Sequence, residues 1–318
     1  MRVLVTGGCG YKGAVLVPKL LDAGHEVRVF DTQWFGRNLP EHPRLEVIKG
    51  DIRDGVPCDG MESVIHLAGI ANDPCGELDA KLTWEVNVLA TLFLVRACVD
   101  AGVRRFVFAS SASVYGIKDN APVKEDTDLA PVSDYNKTKM VAERILLSFK
   151  DQIAVQIVRP ATVCGVSPRM RLDTVVNMLT VQALQTGRIT AHCGPHGASL
   201  MRPNTHIEDI TNLYVWLLNR QATTLTVNAG FENLSVGAIA DLISGYVPAA
   251  VEISEVADKR SYAVDSSRLL AMGFVPRHSV ASAVQEIVRA WEGMAFAADD
   301  RAINLKWMRK NGWVGAHA

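Results

Sequence analysis

The first twenty-four residues constrain the fold more strongly than any other stretch of the chain. Residues 2–6 are a short β-branched apolar run, typical of a buried strand, and the loop Gly7-Gly8-Cys9-Gly10-Tyr11-Lys12-Gly13 follows directly. Residues 14–23 then have helical periodicity, and Gly24 marks the end of that helix. Strand, glycine-rich turn and helix in this order predict the first βα unit of a doubly wound parallel sheet.

The same loop is a candidate phosphate-binding turn. Its glycines allow a sharp turn and let a pyrophosphate approach the positive end of the helix dipole. A turn without a ligand is the alternative, since the spacing is GxxGxxG. The next strand, residues 26–30, ends at Asp31, whose carboxylate suits the adenosine ribose hydroxyls and repels a 2′-phosphate. This favours NAD over NADP, although Arg37 could receive a 2′-phosphate.

Strands and helices continue to alternate after Asp31. Strands are predicted at residues 45–49, 63–67, 105–110 and 153–158, with helices at 78–101 and 133–150. This alternation predicts an α/β protein whose first half is a Rossmann-type, doubly wound parallel sheet with right-handed crossovers. The helix over 78–101 is apolar nearly all round, so we expect it to pack on the sheet and on a partner subunit. Asn87 within it is either an internally satisfied polar residue or a bridge to the active site.

Tyr135 and Lys139 are the candidate catalytic pair. Residues 133–150 open with good N-cap residues and continue with apolar residues at helical spacing. Residues four apart lie on one face of a helix, so the phenol and the ammonium can meet. A nearby cation favours the phenolate, which can take a proton from a sugar or alcohol hydroxyl and return it. An exposed tyrosine beside a solvated lysine is the simpler alternative.

Ser111 is the candidate hydroxyl partner of this pair. It follows the strand at 105–110, and a hydroxyl at the carboxyl end of a central strand opens onto the crevice where doubly wound sheets bind ligands. A strand-end serine bonded to the backbone is the alternative for Ser111 taken alone.

Together these motifs resemble the extended short-chain dehydrogenase/reductase family, in its nucleotide-sugar epimerase/dehydratase branch. The likeness spans nearly the whole chain and keeps the order and spacing of the family's motifs. The residues that carry it are 6–13, Asp31, Asp51-Ile52-Arg53-Asp54, His66-Leu67-Ala68, 110–116, Tyr135-Asn136-Lys137-Thr138-Lys139, Arg159-Pro160 and 202–209.

The resemblance implies a role for each matching residue. Tyr135 is implied as the acid/base, Ser111 as the catalytic hydroxyl, and Lys139 as a ligand of the nicotinamide ribose that lowers the tyrosine pKa. It implies tightly held NAD, bound by Gly7, Gly10, Tyr11, Lys12, Gly13, Asp31, Asp51, Ile52, Leu67, Ala68, Tyr135 and Lys139. It implies a nucleotide-diphosphate sugar as substrate, contacted by Ser111, Ser113, Tyr135, Asn177, Arg202 and Arg260.

By the same resemblance, the reaction begins with oxidation at C4 of the sugar. An enzyme that returns hydride to the rotated ketone is a 4-epimerase. One that releases the ketone is a 4-dehydrogenase (including a GDP-heptose type), and one that eliminates water is a dehydratase. The family's 4,6-dehydratases have two acidic residues after the catalytic hydroxyl, and this chain has Ala112 and Ser113 there. A 4-epimerase is therefore the leading prediction. A non-catalytic NAD-binding sensor or scaffold is the alternative from another class.

The second half of the chain is predicted to form a smaller, mostly C-terminal substrate-binding domain. We expect residues 1–165 plus 205–229 to bind NAD and residues 166–204 plus 230–318 to bind the nucleotide sugar. In the second set we predict helices at 175–185 and 280–291 and a strand at 188–192.

Several polar and aromatic residues of this half have open roles. Arg169 and Arg171 fit phosphate ligands and solvated loop residues equally well, whereas His206 is more readily explained as structural. The tail with Trp307 and Trp313 either folds back on the chain or packs on a neighbour.

Composition separates this chain from several other classes of protein. Its 318 residues are 48% apolar and 21% charged, with a net charge of -1, which is typical of a folded soluble protein and favours no polyanionic partner. We find no secretory leader, no run of membrane-spanning length and no metal-ligating pattern. The six cysteines include no CxxC pair and are typical of reduced thiols. We therefore expect a cytoplasmic homodimer without metal, nucleic acid or membrane as partners.

Overall fold

The computed structural model describes residues 1–118, 121–256 and 261–312. Its strands are β1 (Arg2–Thr6), β2 (Glu26–Asp31), β3 (Leu45–Lys49), β4 (Ser63–His66), β5 (Arg105–Ala109), β6 (Pro122–Val123), β7 (Ala154–Pro160), β8 (Thr162–Cys164), β9 (Arg188–Cys193), β10 (Met201–His206), β11 (Leu225–Ala229), β12 (Glu232–Ser235), β13 (Ala250–Glu255) and β14 (Ala263–Val264). Its α-helices are α1 (Gly13–Asp22), α2 (Asp73–Leu78), α3 (Ala80–Trp84), α4 (Ala90–Asp100), α5 (Asp134–Leu147), α6 (Val175–Thr186), α7 (Ile207–Leu218), α8 (Val236–Ser244), α9 (Ser267–Ala271), α10 (Val280–Glu292) and α11 (Asn304–Lys310).

A seven-stranded sheet in the order β11-β7-β5-β4-β1-β2-β3 forms the centre of the protein. All of its pairings are parallel, which confirms the predicted Rossmann-type fold. Strands β4 and β5 are buried along their whole length, as expected for central strands of a sheet covered on both faces.

Alternate residues of the central strands point into two separate cores. On one face Val3 and Val5 pack with residues of α1 and α7, and on the other Leu4 packs with residues of α4 and α5. Because side chains alternate along a strand, β1 alone contributes to both layers. The two helical layers leave the carboxyl ends of the strands open at one edge of the sheet.

The second half adds smaller sheets and a core of its own. Strands β12, β10 and β8 form a three-stranded sheet, β13 pairs with β9, and β14 pairs with β6. Helices α6, α8 and α10 pack against β9 through a shared apolar cluster. The predicted helix at 175–185 and strand at 188–192 are present as α6 and β9.

The helix predicted over 78–101 differs from the expectation. Asp79 is in extended conformation and its side chain accepts a hydrogen bond from the Leu82 N–H at 2.9 Å, so α2 ends and α3 begins there. From Ala80 the helix runs to Asp100 and widens into a π-turn at Glu85–Leu89. Its 21 residues, with a mean hydropathy of 1.5 over the most apolar window, are long and apolar enough to cross a membrane, which corrects the expectation of no such run. Half of that window is buried inside the protein, as it is in a core helix of a soluble protein.

Candidate active site

Two clefts lie side by side where the parallel strands end. The first, with a volume of about 880 Å³ including its open mouth, is lined by the loops after β1, β2, β3 and β4. The second, about 1870 Å³ measured in the same way, is lined by the loops after β4, β5 and β7 and by the start of α5. This edge is where doubly wound sheets bind their ligands. The residues common to both clefts are Leu67, Gly69, Ile70, Ala71 and Arg171.

The glycine loop forms the floor of the first cleft. Gly7 has a φ of +71°, and a Cβ there would lie 2.5 Å from the Ala68 nitrogen, so only glycine lets the loop touch the chain after β4. A Cβ on Gly13 would lie 2.5 Å from the Gly8 Cα, so α1 begins directly against the loop. Gly10 lines the cleft, where a Cβ would meet only the Gly7 carbonyl oxygen, at 3.3 Å. A loop of this shape at a helix N-terminus fits a dinucleotide diphosphate.

Asp31 lies beside the glycine loop in the same cleft. Its two carboxylate oxygens accept hydrogen bonds from the Cys9 N–H at 2.9 Å and the Gln33 N–H at 2.6 Å. Burial raises the pKa of Asp31, although these backbone donors oppose the shift. Arg37 instead pairs with Glu41 at 2.7 Å on the exposed surface. The first cleft therefore fits the ribose hydroxyls of NAD, with Asp51, Ile52, Leu67 and Ala68 along its walls.

Tyr11 and Asn177 have structural contacts that the sequence did not suggest. The Tyr11 hydroxyl donates to the Gly165 carbonyl at 2.7 Å and accepts from Asn177 Nδ2 at 3.0 Å. Asn177 is fully buried, and its Oδ1 accepts from the Gly165 N–H at 3.0 Å. These bonds occupy the Asn177 carboxamide, and Asn177 lines neither cleft, so this geometry does not support its predicted contact with the substrate. Both side chains join the glycine loop to the loop after β8.

Ser111, Tyr135 and Lys139 converge on the second cleft. Ser133 caps α5 by accepting a bond from the Asn136 N–H at 3.2 Å, which sets Tyr135 in the first turn and Lys139 one turn later. The Ser111 side chain is close enough to the Tyr135 phenol to lower its pKa. The Lys139 Nζ donates to the Ala109 carbonyl at 2.9 Å and lies 4.8 Å from the centre of the Phe108 ring. All three predicted catalytic residues line the same cleft.

The electrostatics of this group differ from the sequence-based expectation. Burial has the largest effect on the pKa of Tyr135 and raises it, and Asp73 raises it as well. The Ser111 side chain and Arg171 lower this pKa. Lys139 was expected to be the cation that lowers this pKa, but its ammonium is turned to the Ala109 carbonyl and Arg171 exerts that effect. Burial and the charge of Lys12 lower the pKa of Lys139 to about 7. The pKa of Lys12 is itself lowered by burial and by Arg171, to about 8.

Two asparagines complete the site. Asn87, in the π-turn, accepts from the Ile70 N–H at 2.9 Å and donates to the Thr138 hydroxyl at 3.1 Å. It is therefore a bridge from α5 to the loop shared by the two clefts, at a π-turn of the kind often found at functional sites.

Asn136 was not singled out from the sequence. Its Oδ1 accepts from the Ser113 hydroxyl at 2.5 Å, and Ser113 lies 2.8 Å from the Ser111 oxygen. In the sequence, the two serines two residues apart are the signal that could have indicated this series of hydrogen bonds.

The remaining predicted residues are distributed around the two clefts. Arg202 lines the second cleft, and Arg260 lies outside the described residues. Arg171 pairs with Asp173 at 2.8 Å, whereas Arg169 lines the first cleft only. His206 accepts a bond from the Glu208 N–H at 3.1 Å and stacks on His278, in agreement with a structural role.

The tail folds back on the first half of the chain. The Trp307 Nε1 donates to the Trp34 carbonyl at 2.7 Å, whereas Trp313 lies outside the described residues. Within the described ranges, no group of three or more His, Cys, Asp or Glu side chains is arranged to hold a metal ion.

Comparisons with known proteins agree with this geometry. The model of the NAD dependent epimerase/dehydratase family matches residues 3–230. The UDP-glucose 4-epimerase of Lactobacillus helveticus is 27% identical over 92% of this chain and 96% of its own length. The 3 beta-hydroxysteroid dehydrogenase/Delta 5-->4-isomerase of Mycobacterium tuberculosis is 40% identical, over 52% of this chain and 47% of its own. Among solved structures, MoeE5 in complex with UDP-glucuronic acid and NAD has a TM-score of 0.81 and 28% identity, covering 93% of this chain and all of that one.

Proposed function

Because the chain belongs to the NAD dependent epimerase/dehydratase family, we propose that it inverts C4 of a nucleotide-activated sugar through a 4-keto intermediate. The observation that carries this proposal is the convergence of Ser111, Tyr135 and Lys139 on one cleft, next to a cleft shaped for NAD. A hydroxyl, a phenol and an amine at such a junction are the groups that a reversible oxidation of an alcohol requires.

The first cleft, with Gly7, Gly10 and Asp31 in its lining, would hold NAD, which would supply a reversible acceptor for the hydride of C4. Tyr135 is the group that takes the proton from the C4 hydroxyl and returns it to the ketone oxygen. Its raised pKa keeps the phenol protonated until a cation or a hydrogen bond stabilises the phenolate, and Ser111 and Arg171 both act in that direction. Lys139, with a pKa of about 7, can change its charge near neutral pH as the nicotinamide ribose and substrate enter.

The side chains after Ser111 argue against a dehydratase. Ala112 is fully buried, and the Ser113 hydroxyl is committed to Asn136. The carboxylates that line the cleft are also engaged, Asp73 with the Ser133 hydroxyl at 2.5 Å and Asp173 with Arg171. Elimination of water needs an acid and a base beside C5 and C6, and neither Ala112 nor Ser113 supplies one.

The proposed substrate is a nucleotide-diphosphate sugar of the UDP type. Two relatives whose likeness spans nearly the whole chain are a UDP-glucose 4-epimerase and a protein solved with UDP-glucuronic acid. The steroid dehydrogenase matches only about half of each chain, so a hydroxysteroid is the less supported substrate.

We propose Arg202 and Arg260 as diphosphate ligands, since guanidinium groups bind phosphate oxygens in a bidentate way. We also propose residues 1–165 plus 205–229 as the NAD-binding domain, with the other residues forming the sugar-binding domain.

Product analysis tests this activity. UDP-hexoses and UDP-hexuronic acids, incubated with the protein and catalytic NAD, should give the C4 epimer by NMR with no net NADH. A ketone formed with stoichiometric NADH would replace this proposal with a 4-dehydrogenase, and turnover of a hydroxysteroid alone would replace the substrate class. A protein that binds NAD and UDP-sugars without turnover would be a sensor.

We further propose that the protein is a cytoplasmic homodimer. Leu89 and Phe93 are 49% and 58% exposed on the helix that spans Ala80 to Asp100, and a second copy would cover them. All six cysteines are free thiols, which supports a reducing compartment. A monomeric mass at micromolar concentration, or an unchanged dimer after Phe93→Asp, would contradict this interface.

A further inference from the structure

The C-terminal residues 299–312 contribute to both clefts, although they lie beyond the stretch that matches the family model, which ends at residue 230. Ile303 and Leu305 line the second cleft, and Asn304 between them lines the first. Ile303 and Leu305 are both half-buried. An apolar side chain that stays partly exposed inside a cleft is stabilised when a bound molecule covers it.

Hydrogen bonds hold this segment beside the second cleft. The Leu172 N–H donates to the Ala302 carbonyl at 2.8 Å, which joins the tail to the loop after β8. The Asn304 N–H donates to the Asp173 carboxylate at 3.3 Å. Asp173 also accepts a bond from Asn72 Nδ2 at 2.9 Å, and this bond adds the loop after β4. The tail is therefore tied to two of the loops that follow the parallel strands, and it forms a fixed part of the cleft.

The packing of α11 places its first turn near the candidate catalytic phenol. Helix α11 packs on α2, and Leu305 packs against the apolar cluster that contains Cys75 of α2. A Cβ on Gly76 of the same helix would lie 2.9 Å from the Tyr135 Cβ, so α2 in turn lies against the start of α5. Leu305 and Tyr135 are thus separated by one short helix and line the same cleft.

The lining of the second cleft combines two kinds of group. Ser111 and Ser113 present hydroxyls, whereas Ile303 and Leu305 present only apolar surface. A sugar ring has the same division, because its hydroxyl groups project from the edge and its C–H groups form apolar faces. Small-molecule sites commonly pair a mostly apolar lining with a few polar groups that fix orientation. The lining therefore fits a sugar that has its hydroxyls toward the serines and a C–H face toward the tail.

We propose that Ile303 and Leu305 form an apolar wall of the substrate cleft, against which the C–H groups of the sugar ring pack, and that the C-terminal tail is thereby a sugar-recognition element. The inference rests on the nucleotide-sugar substrate proposed above and adds to it the residues that contact the sugar portion. Apolar contact is non-directional. The apolar wall can therefore hold the ring in each of the two orientations between which a 4-keto sugar must turn.

The test compares the binding of UDP-glucose and of UDP to the full-length protein, measured by calorimetry with NAD present. Leu305→Ser should weaken UDP-glucose binding about tenfold, the effect of losing part of one leucine's apolar contact. UDP binding should be unchanged, because UDP lacks the sugar. Ile303→Ser should act in the same way. Leu305→Met keeps the apolar volume and should bind UDP-glucose within about twofold of the native affinity.

Met308→Ser is the matched control within the same helix. Met308 is 4% exposed, packs in the core and lines neither cleft. Its substitution should lower the melting temperature and leave the affinities for UDP-glucose and UDP unchanged.

The ratio of the two affinities separates sugar recognition from packing. If the tail only covered α2, Leu305→Ser would change UDP-glucose and UDP binding by the same factor, and this would overturn the inference. An equal loss of UDP-glucose binding in Met308→Ser would overturn it as well. If Leu305→Ser does not fold, Ile303→Ser decides, and native UDP-glucose affinity in that variant would refute the apolar wall. If the variants lose UDP-glucose binding but the native protein forms no epimer, the epimerase proposal fails and this one stands.

Discussion

The two clefts share a wall but are built in opposite ways. The floor of the first is shaped by main chain: Gly7 and Gly13 allow contacts that a Cβ would block, and backbone N–H groups orient Asp31. The second is shaped by side chains from distant segments, with Ser111 after β5, Tyr135 in α5 and Arg171 after β8 all meeting there. A surface formed by main chain depends on a local turn, whereas a surface formed by side chains from distant segments requires several strands and helices to be in place.

The difference also concerns stability. In the second cleft burial lowers the pKa values of Lys12 and Lys139 to about 8 and 7, so the fold keeps two ammonium groups where charge is disfavoured. Such placement is typical of groups whose pKa serves a reaction. We therefore expect substitutions in the first cleft to act on NAD binding and folding, and those in the second on turnover.

The sharpest separation of the two clefts is expected from Tyr135→Phe. Removal of one acid/base group should lower the turnover number about 10²–10⁴-fold, while NAD remains bound. Tyr11→Phe is the matched loss of a phenol hydroxyl; although Tyr11 also lines the second cleft, its hydroxyl joins two loops, so this variant should instead lower the melting temperature. If Tyr135→Phe and Tyr11→Phe lowered the turnover number to a comparable extent, the two phenols would not have the different roles proposed for them.

Lys139→Met should reduce activity and at the same time stabilise the protein. The folded-state pKa of Lys139, about 7, lies below the ordinary lysine value of 10.5, so between these pH values the unfolded chain binds more protons. Stability of the native chain should therefore rise with pH across that window, and the variant should lack this rise and melt at a higher temperature at pH 7. Thermal melts from pH 6 to 10 measure both effects. A variant less stable than the native chain at pH 7 contradicts them.

A comparison of Gly7→Ala with Gly102→Ala tests whether the close contact between Gly7 and Ala68 shapes the first cleft. The two glycines have φ values of +71° and +70°, but a Cβ would be 2.5 Å from the Ala68 nitrogen at Gly7 and would meet nothing within 4 Å at Gly102. Gly102→Ala should cost about 1–2 kcal/mol from the left-handed conformation alone. Gly7→Ala should cost more and also weaken NAD binding. Equal losses in urea melts would show that the contact with Ala68 is unimportant.

The smallest effect is expected from Asn136→Ala. Without the Asn136 oxygen the Ser113 hydroxyl loses its acceptor and can instead donate to Ser111, which changes the orientation of the Ser111 hydroxyl and should slow turnover about tenfold. NAD release should not change. Ser113→Ala breaks the same chain one bond earlier, so the double variant should be no slower than the worse single one. Additive losses would show that the two residues act separately.

The sequence alone determined the order of the strands and helices, the glycine loop, Asp31 and the Tyr135–Lys139 pair. Each depends on spacing within a single turn or helix, and such spacing is present in the chain before it folds. Only the tertiary structure decided that Asn177 links two loops, that Arg171 lowers the pKa of Tyr135, and that Arg169 and Asn304 reach the first cleft. These contacts join residues up to 166 positions apart, and the direction of a buried side chain depends on neighbours that no local pattern contains.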